Sequence, residues 1–492
     1  MNILTLTDGY KLDHRRQYPS KTTLIYSNWT ARGSRLKDIN KIVFFWLQYF
    51  IKKYLLEEFN NNFFKQPKEL VLNKYLRRIN NYLGSNQIWT SHLSDLHDLS
   101  YLPLEIKALP EWTRVDLKIP MLTIKNTDNR FFWLTNYIET MLSSTLWFPC
   151  TSATLAYEFK KNLSYYAEQT SSDPSFIDFQ GHDFSMRGMT SIESSMLSWA
   201  WHLISFKGTD TLPAIDFLEQ YYQGDSDKEL IWVSVPATEH SVMSLWWKEN
   251  EINTFKRVFT EIYPSWIVSI VSDTWDLWKV IWAYLPLLKE DILKREGKVV
   301  IRPDSWNPIH ILTGFKDFEI LEQESSLSKL EEKWVVESLW DIFWWTINDK
   351  WFKELNSKIG VIYGDGISLE KSKIILERLK EKWFASTNIV FWIWSYFYQY
   401  NTRDTFYFAM KTTYGEIDWK GYEIFKKPIT DDWKKHSAKG LLKVEKENWR
   451  FVLYDKVSKK EEQEGLLKTV FLNWKLLKDC SLSEIRKNIL ID

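Results

Sequence analysis

Net charge, long apolar runs and paired cysteines are all missing from this sequence. The 64 basic side chains balance 64 acidic ones, which argues against a nucleic-acid partner. No apolar run approaches the roughly 20 residues that a membrane-spanning helix needs, and charge appears too early at the N-terminus for a secretory signal. The two cysteines, Cys150 and Cys480, cannot form a disulfide framework. We therefore expect a cytoplasmic protein that binds neither nucleic acid nor a membrane.

Glycine is also scarce, whereas tryptophan is abundant. The chain has 16 glycines and 28 tryptophans among 492 residues, so glycine falls to about half of its average frequency of about 7%. Many tryptophans stand in hairpin-like turns, as in Asp418-Trp419-Lys420 and Asn448-Trp449-Arg450. Such turns need a positive φ, which glycine adopts freely and a bulky side chain resists.

The order of apolar runs predicts two domains. Residues 41–65 and 131–170 are apolar at helical spacing, and residues 103–124 alternate like strands. From about residue 175, short β-branched runs alternate with helical segments, and polar residues follow each run. This order is typical of an α/β barrel or a doubly wound sheet, and functional residues at several strand ends favour the barrel. We predict a barrel domain of residues 171–399 and a discontinuous α+β domain of residues 1–170 with 400–492.

The segment 299–308, VVIRPDSWNP, indicates where the chemistry lies. Its β-branched residues predict a short buried strand that ends at Arg302 and Asp304. The carboxyl ends of barrel strands form the active site. An arginine and an aspartate there can bind an anion together with a ribose hydroxyl or a metal. In the turn that follows, Trp306 occupies a position where glycine is usual.

Seven polar segments at predicted strand ends carry a family resemblance. They are HDFSMRG (182–188), FKGTDT (206–211), SVPATEHS (234–241), SDTWD (272–276), RPDS (302–305), YGDG (363–366) and NTRDTFYFAMK (401–411). Any one of them alone is weak, but seven in this order are specific. Together with TDGYKLDHRRQYP (7–19), they closely resemble the nicotinamide phosphoribosyltransferases over nearly the whole chain.

The resemblance implies a fold and a reaction. The fold is the irregular (β/α) barrel of the type II phosphoribosyltransferases. The reaction makes nicotinamide mononucleotide and pyrophosphate from nicotinamide and phosphoribosyl pyrophosphate, in NAD salvage. Magnesium is expected to bind mainly through the pyrophosphate, without a full set of protein ligands. The resemblance also implies a homodimer whose two subunits share each active site.

For the base, the resemblance implies a slot between two aromatic rings. Phe184 resembles the stacking phenylalanine, and Tyr10 resembles the ring that the other subunit contributes. Asp210 resembles the aspartate that accepts a hydrogen bond from the amide, and its charge favours nicotinamide over nicotinate. Without the resemblance, Phe184 is equally well a core residue, and Asp210 a helix cap.

The remaining site residues face the sugar and phosphates. Asp273 and Asp304 resemble ribose or magnesium-shell carboxylates, and His240 resembles the family histidine that ATP phosphorylates, which makes ATP an optional coupling substrate. By itself, His240 reads as a structural histidine. The residues that match the phosphate-binding cations and the phosphate and ribose loops are Arg187, Arg302, Arg403, Lys411, Gly364, Asp365, Trp394 and Ser395.

The phosphate loop departs from the family pattern. Relatives have a glycine-rich turn whose backbone amides approach the 5′-phosphate, whereas this chain has Phe391-Trp392-Ile393-Trp394-Ser395. We interpret 21 tryptophans, in glycine-like turns or at family glycines, as glycine in the natural protein, translated from a stop codon that the source reads as glycine. They are residues 46, 89, 112, 199, 201, 232, 246, 247, 266, 306, 334, 344, 345, 351, 383, 392, 394, 419, 433, 449 and 474.

Three alternatives stay open at this point. A genuinely tryptophan-rich surface is the alternative to the codon hypothesis. Nicotinate phosphoribosyltransferase shares the fold and the chemistry, and Asp210 is the residue that separates the two substrates. If Trp392 and Trp394 are genuine, the chain is instead a catalytically dead relative that acts as a binding or structural dimer.

Overall fold

The structure is a computed structural model that describes residues 2–83, 89–230, 232–315, 334–426 and 438–489. The side chains of residues 198–201, 345, 488 and 489 are not described. Trp433, one of the 21 positions named above, lies outside the described residues.

The strands alternate with helices through most of the chain. In chain order the strands are β1 (Thr22–Ala31), β2 (Lys41–Val43), β3 (Leu104–Ala108), β4 (Arg114–Asp116), β5 (Pro120–Asn126), β6 (Gly181–Asp183), β7 (Gly208–Thr209), β8 (Val268–Val271), β9 (Val299–Arg302), β10 (Trp345–Ile347), β11 (Lys353–Leu355), β12 (Ile359–Tyr363), β13 (Ile389–Ile393), β14 (Phe408–Ile417), β15 (Lys420–Glu423), β16 (Leu441–Glu447), β17 (Arg450–Val457), β18 (Lys468–Leu472) and β19 (Lys475–Leu476).

The α-helices vary from single turns to 32 residues. They are His14–Gln17, Leu47–Tyr49, Lys68–Leu83, Ser91–Leu99, Leu134–Tyr137, Glu139–Thr170, Ile177–Gln180, Ile192–Ser205, Pro213–Tyr222, His240–Ser244, Glu251–Arg257, Leu277–Lys279, Leu285–Lys294, Pro308–Thr313, Val335–Phe343, Leu369–Glu381, Ser395–Gln399, Glu461–Glu464 and Leu482–Ile489. Four π-helical segments extend three of the helical regions, at Phe50–Glu58 with Asn60–Phe64, at Val258–Ile262 and at Val280–Tyr284. Within the described ranges, no helix has both the length and the apolar character needed to cross a bilayer.

The chain divides into two compact units. The first unit comprises residues 1–154, 220–223 and 401–492, and the second comprises residues 155–219 and 224–400. The first contains a seven-stranded sheet in the order β15-β14-β1-β5-β3-β18-β19, in which β1 pairs antiparallel with both β14 and β5. Strands from both ends of the chain therefore hydrogen-bond in one sheet.

The second unit is built on a parallel sheet in the order β7-β6-β13-β12-β9-β8. Every residue of β9 and β12 is buried, as expected for parallel strands that are covered on both faces. The segment after β7 bridges the two edges, because Val233 pairs with Gly208 and Ala237 pairs with Ser269. These single bridges join the two edges of the sheet, and the predicted α/β fold with a parallel, barrel-like sheet is confirmed.

Two local expectations from the sequence are wrong. Residues 41–43, expected to be helical, form β2, and the helix begins only at Leu47. Residues 232–236, one of the short β-branched runs, were also expected to be a strand, but among them only Val233 forms an isolated bridge. Pro236 lacks the N–H that a continuous ladder requires.

Ten tryptophans have a backbone conformation that suits glycine. All ten belong to the 21 positions named above, whereas the other seven tryptophans, all within the described ranges, have no positive φ. Trp247 and Trp344 have φ values of 66° and 65° with ψ values of 155° and 164°, a region that is essentially limited to glycine. The ten are Trp46, Trp112, Trp247, Trp266, Trp306, Trp344, Trp351, Trp383, Trp419 and Trp449.

Candidate active site

The carboxyl ends of the barrel strands bring most of the predicted site residues to one end of the second unit. Each follows its strand within a few residues because the buried aliphatic run ends there and polar residues begin. Phe184 follows β6, Asp210 follows β7, Asp273 follows β8, Asp304 follows β9, Asp365 follows β12 and Ser395 follows β13. His240 begins the helix after the bridging segment.

Three polar or aromatic side chains lie together at the predicted base slot. The rings of Phe184 and His182 have centroids 5.7 Å apart, and Nε2 of His182 lies 3.6 Å from Oδ1 of Asp210. The Ser234 hydroxyl donates a hydrogen bond to the same oxygen. His182 therefore lies beside both Phe184 and Asp210.

Trp392 fills the slot in this chain. Its indole meets Phe184 edge-on, with centroids 3.4 Å apart and an interplanar angle of 83°. Aromatic pairs favour centroid separations of about 4.5–7 Å, so this contact is too close. The space that remains beside Phe184 is about 20 Å³, which is enough for about one water molecule.

A larger cavity of about 400 Å³ lies within the barrel near the base slot. Its lining includes the aliphatic strand residues Val300, Val361 and Val390, and His182 borders both spaces. Trp392 packs with Val300 and Ile362, two of the residues that line this cavity.

The loop after β9 is held by hydrogen bonds from two neighbouring strands. Oδ2 of Asp273 accepts hydrogen bonds from the Asp304 backbone N–H, at 2.9 Å, and from the Ser305 hydroxyl, at 2.6 Å. The Tyr363 hydroxyl donates to the carbonyl of Trp306, at 2.7 Å. Asp273 thus positions the loop that carries Asp304, a role that the sequence did not indicate.

The charged groups at this loop have unused hydrogen-bonding atoms. Oδ1 of Asp273, Oδ1 of Asp304 and Nε of Arg302 are buried without a partner. Burial lowers the pKa of Arg302 and raises the pKa of Asp304, and the charge that each places beside the other opposes both shifts. The two carboxylate oxygens fit the hydroxyl groups of a ligand or a hydrated cation, and the Arg302 Nε–H fits a phosphate oxygen.

His240 lies at the same end of the barrel and is exposed. Its Nδ1 is 3.2 Å from the Thr274 hydroxyl, and its Nε2 is 4.0 Å from Oδ2 of Asp304. Within the described part of the chain, no three His, Cys, Asp or Glu side chains group as a metal site would.

The predicted phosphate loop follows β13 and is crowded by Trp394. The Arg187 guanidinium lies 5.0 Å from the indole centroid of Trp394, and a Cβ on Gly364 would come within 2.7 Å of the indole nitrogen. Neither Trp392 nor Trp394 has a positive φ. At these two positions the backbone conformation therefore suits tryptophan, and only the bulk of the indole conflicts with the predicted phosphate loop. Ser395 and Gly188 are in close contact beside this loop.

Three predicted site residues, Tyr10, Arg403 and Lys411, belong to the first unit. Tyr10 is 66% exposed, and Arg403 pairs with Asp404 at 3.1 Å. Partial burial and the nearby charge of Arg32 lower the pKa of Lys411. In that unit, Tyr10 supplies an exposed aromatic ring, and Arg403 and Lys411 supply cations.

Comparison with known proteins identifies the family. A model described as the nicotinate phosphoribosyltransferase (NAPRTase) family matches residues 179–474, and a model of the nicotinamide phosphoribosyltransferase N-terminal domain matches residues 2–106. The chain is 47% identical to the nicotinamide phosphoribosyltransferase of Acinetobacter baylyi, over 99% of this chain and 97% of that one. The chain belongs to the nicotinamide phosphoribosyltransferase family. Its identity to the Mycoplasma pneumoniae relative of that name is 36%, over 88% of this chain and 93% of that one.

Solved structures agree with the fold of the nicotinamide phosphoribosyltransferase family. A nicotinate-nucleotide pyrophosphorylase from Pyrococcus furiosus superimposes with a TM-score of 0.57 at 13% identity, over 99% of this chain and 95% of that one. Human nicotinic acid phosphoribosyltransferase gives a TM-score of 0.52 at 11% identity, over 99% of this chain and 93% of that one. At such identities the likeness concerns the fold alone.

Sequence reasoning missed two polar residues of the site in this family member. Asp183 is completely buried, and its carboxylate accepts hydrogen bonds from Thr209 and Thr211, on either side of Asp210. Ser234 donates to Asp210. The signal available for Asp183 was an aspartate at the buried end of a short strand, where a charge has to be paired.

Proposed function

We propose that the protein transfers the phosphoribosyl group from phosphoribosyl pyrophosphate to the ring nitrogen of nicotinamide. The bond between the anomeric carbon and the pyrophosphate oxygen breaks, a carbon–nitrogen bond forms, and nicotinamide mononucleotide and pyrophosphate leave. The observation that carries this proposal is the position of Asp210 beside the slot at Phe184, in a chain that is 47% identical to a nicotinamide phosphoribosyltransferase over 99% of its length.

The base is oriented by stacking and by one acceptor. The ring of Phe184 supports one face of the pyridine, and Asp210 accepts a hydrogen bond from the amide N–H₂. A nicotinate carboxylate at the same place would meet a like charge without a donor, so the slot favours the amide.

The sugar and phosphates are bound by the charged groups at the strand ends. As the pyrophosphate departs, the sugar develops oxocarbenium character, and nearby carboxylates stabilise that positive charge. Asp273 and Asp304, each with an unpartnered oxygen, fit the ribose hydroxyls or the water shell of magnesium. Magnesium, when bound to the pyrophosphate, supplies positive charge to the leaving group. Arg302, Arg187, Arg403 and Lys411 bind phosphate oxygens or the base.

A homodimer completes the proposal. In it, the exposed Tyr10 of one subunit covers the second face of the base that Phe184 of the other subunit holds. ATP serves as an optional coupling substrate through phosphorylation of His240. The protein acts in NAD salvage in the cytoplasm.

The activity further requires space that Trp392 and Trp394 occupy. The proposal therefore holds that the natural protein has glycine at both positions. Glycine at 392 opens the slot at Phe184, and glycine at 394 lets backbone amides approach a phosphate. If both tryptophans are genuine, the chain is a catalytically dead dimeric relative.

The test compares the two bases directly. The full-length chain with Trp392→Gly and Trp394→Gly is incubated with phosphoribosyl pyrophosphate, magnesium and either nicotinamide or nicotinate, and the mononucleotides are quantified. We expect product from nicotinamide and a strong preference for it. A preference for nicotinate would reassign the chain to the nicotinate enzymes, and no product from either base would favour the dead relative.

A further inference from the structure

The carboxylate of Asp183 has no exposed surface and accepts three hydrogen bonds. Its Oδ1 accepts from the Ser185 backbone N–H at 2.7 Å. Its Oδ2 accepts from the hydroxyls of Thr209, at 2.6 Å, and Thr211, at 2.7 Å. A side chain this buried does not touch a substrate, so any influence on catalysis passes through its partners.

The partners of Asp183 flank the two residues that define the base slot. Phe184 lies between Asp183 and Ser185 in the chain, and Asp210 lies between Thr209 and Thr211. One carboxylate therefore fixes the backbone on both sides of the stacking ring and on both sides of the acidic side chain.

Strand pairing alone does not explain a buried carboxyl group here. β6 and β7 already pair in parallel, and the Asp210 backbone N–H donates to the Asp183 carbonyl at 3.1 Å. Burying a carboxylate is unfavourable unless its hydrogen bonds compensate. Burial accordingly raises the pKa of Asp183 well above its usual range, and the three hydrogen bonds oppose this shift.

We propose that Asp183 is a positioning residue for base specificity: by joining Ser185, Thr209 and Thr211, it sets the distance and angle between the ring of Phe184 and the carboxylate of Asp210. The inference rests on the proposed function. Discrimination between an amide and a carboxylate depends on where the Asp210 oxygen lies relative to the stacked ring, and small displacements there weaken it strongly. Loss of one of the three bonds leaves the fold paired but lets Asp210 move.

The experiment uses Thr211, because two substitutions there separate its hydroxyl from its shape. Thr211→Val keeps the shape and removes the hydroxyl, whereas Thr211→Ser keeps the hydroxyl and removes the methyl group. Asp183→Asn changes the acceptor of the hydrogen bond that the Thr211 hydroxyl donates. All three are made in the full-length chain with glycine at 392 and 394, and kcat/KM is measured for nicotinamide and nicotinate, together with KM for phosphoribosyl pyrophosphate and Tm.

We expect Thr211→Val to reduce the ratio of the two kcat/KM values by about tenfold, the scale of losing one buried hydrogen bond. KM for phosphoribosyl pyrophosphate should stay unchanged, and Thr211→Ser should keep the ratio. Asp183→Asn, if it folds, should reduce the ratio at least as much.

Two results would overturn the inference while leaving the function intact. One is an unchanged base preference in Thr211→Val, and the other is an equal loss in Thr211→Ser and Thr211→Val, which would indicate a packing role. If the parent chain makes no nucleotide from either base, the proposed function itself fails and the inference fails with it.

Discussion

The guanidinium of Arg302 lies over the indole of Trp392, 4.4 Å from the ring centroid. Arg302 thus contacts the indole of Trp392, whereas the proposed function requires it to bind a base or a phosphate at the same place. The same indole contacts Phe184. Ligand binding at this site and the indole of Trp392 therefore exclude each other.

The first prediction concerns the two tryptophans of the phosphate loop. Replacing both by glycine, Trp392→Gly with Trp394→Gly, should restore binding of nicotinamide and phosphoribosyl pyrophosphate, because the ring of Phe184 and the loop amides become accessible. Isothermal titration calorimetry measures both affinities. Trp449→Gly, at an exposed turn of the first unit, is the control and should restore neither. No gain in affinity in the double variant would contradict the space argument.

The second prediction concerns backbone strain at Trp449. This residue has a φ of 66° and is 85% exposed, so Trp449→Gly removes strain and loses little beyond the contact of the indole with the Lys446 ammonium. We expect the free energy of unfolding to rise by about 1 kcal/mol. Chemical denaturation measures this change.

The matched control is Trp275→Gly, at an exposed tryptophan without a positive φ. It should bring no gain and should lower stability slightly, because glycine increases the entropy of the unfolded chain. Equal effects at the two positions would argue against strain. For the natural protein, mass spectrometry should find glycine at position 449, and also at 433, which the sequence alone indicated.

The third prediction concerns base selectivity. Asp210→Asn replaces a charged acceptor by an amide that can donate to a carboxylate, so the preference for nicotinamide over nicotinate should fall by about tenfold or more. Asp227→Asn removes the same charge from an exposed position and should leave the preference as it was. Competition between the two bases in one assay gives the ratio directly. A preference that survives in Asp210→Asn would remove Asp210 from base recognition.

Much of the site was predictable because parallel strands end together. Once a barrel is inferred, residues that follow successive strands must lie at one end of it, and this is where Phe184, Asp210, Asp273 and Asp304 lie. The glycine-like positions were also predictable in part, since turn chemistry is local. Of the 20 such tryptophans that lie within the described residues, ten have positive φ values.

The parts that escaped prediction depend on distant partners. Asp183 has its role only because β6 pairs with β7, which brings Thr209 and Thr211 from 26 and 28 residues away. The loop-holding role of Asp273 likewise depends on the neighbouring strand β9. The segment with Val233 and Ala237 shows the opposite error: its β-branched residues predicted a strand, but each of these two residues forms only a single bridge.

The fourth prediction concerns coupling to ATP. His240→Ala should abolish stimulation of synthesis by ATP and leave some basal synthesis, since phosphorylation needs the imidazole. His240→Asn keeps a polar side chain that could still bond to Thr274 but cannot become phosphohistidine, so it should behave in the same way. Initial rates with and without ATP measure the effect. Stimulation that persists in either variant would show that the coupling does not pass through His240.

The fifth prediction concerns the pH dependence of stability, through Glu111 in the first unit. This side chain is buried, and its carboxylate accepts hydrogen bonds from the Gln48 backbone N–H and the Tyr222 hydroxyl. Burial raises its pKa from 4.5 to about 7, against the effect of these hydrogen bonds.

The sign of the effect follows from the protons bound in each state. Between pH 4.5 and about 7, the folded protein keeps a proton on Glu111 that the unfolded chain has lost. The free energy of unfolding should therefore fall as the pH rises through this interval, and this contribution should level off above it. Glu111→Gln is neutral throughout and nearly isosteric, so its stability should fall less over the same range. Urea denaturation of both proteins at several pH values gives the two slopes, and identical slopes would mean that Glu111 is already ionised in the folded protein at low pH.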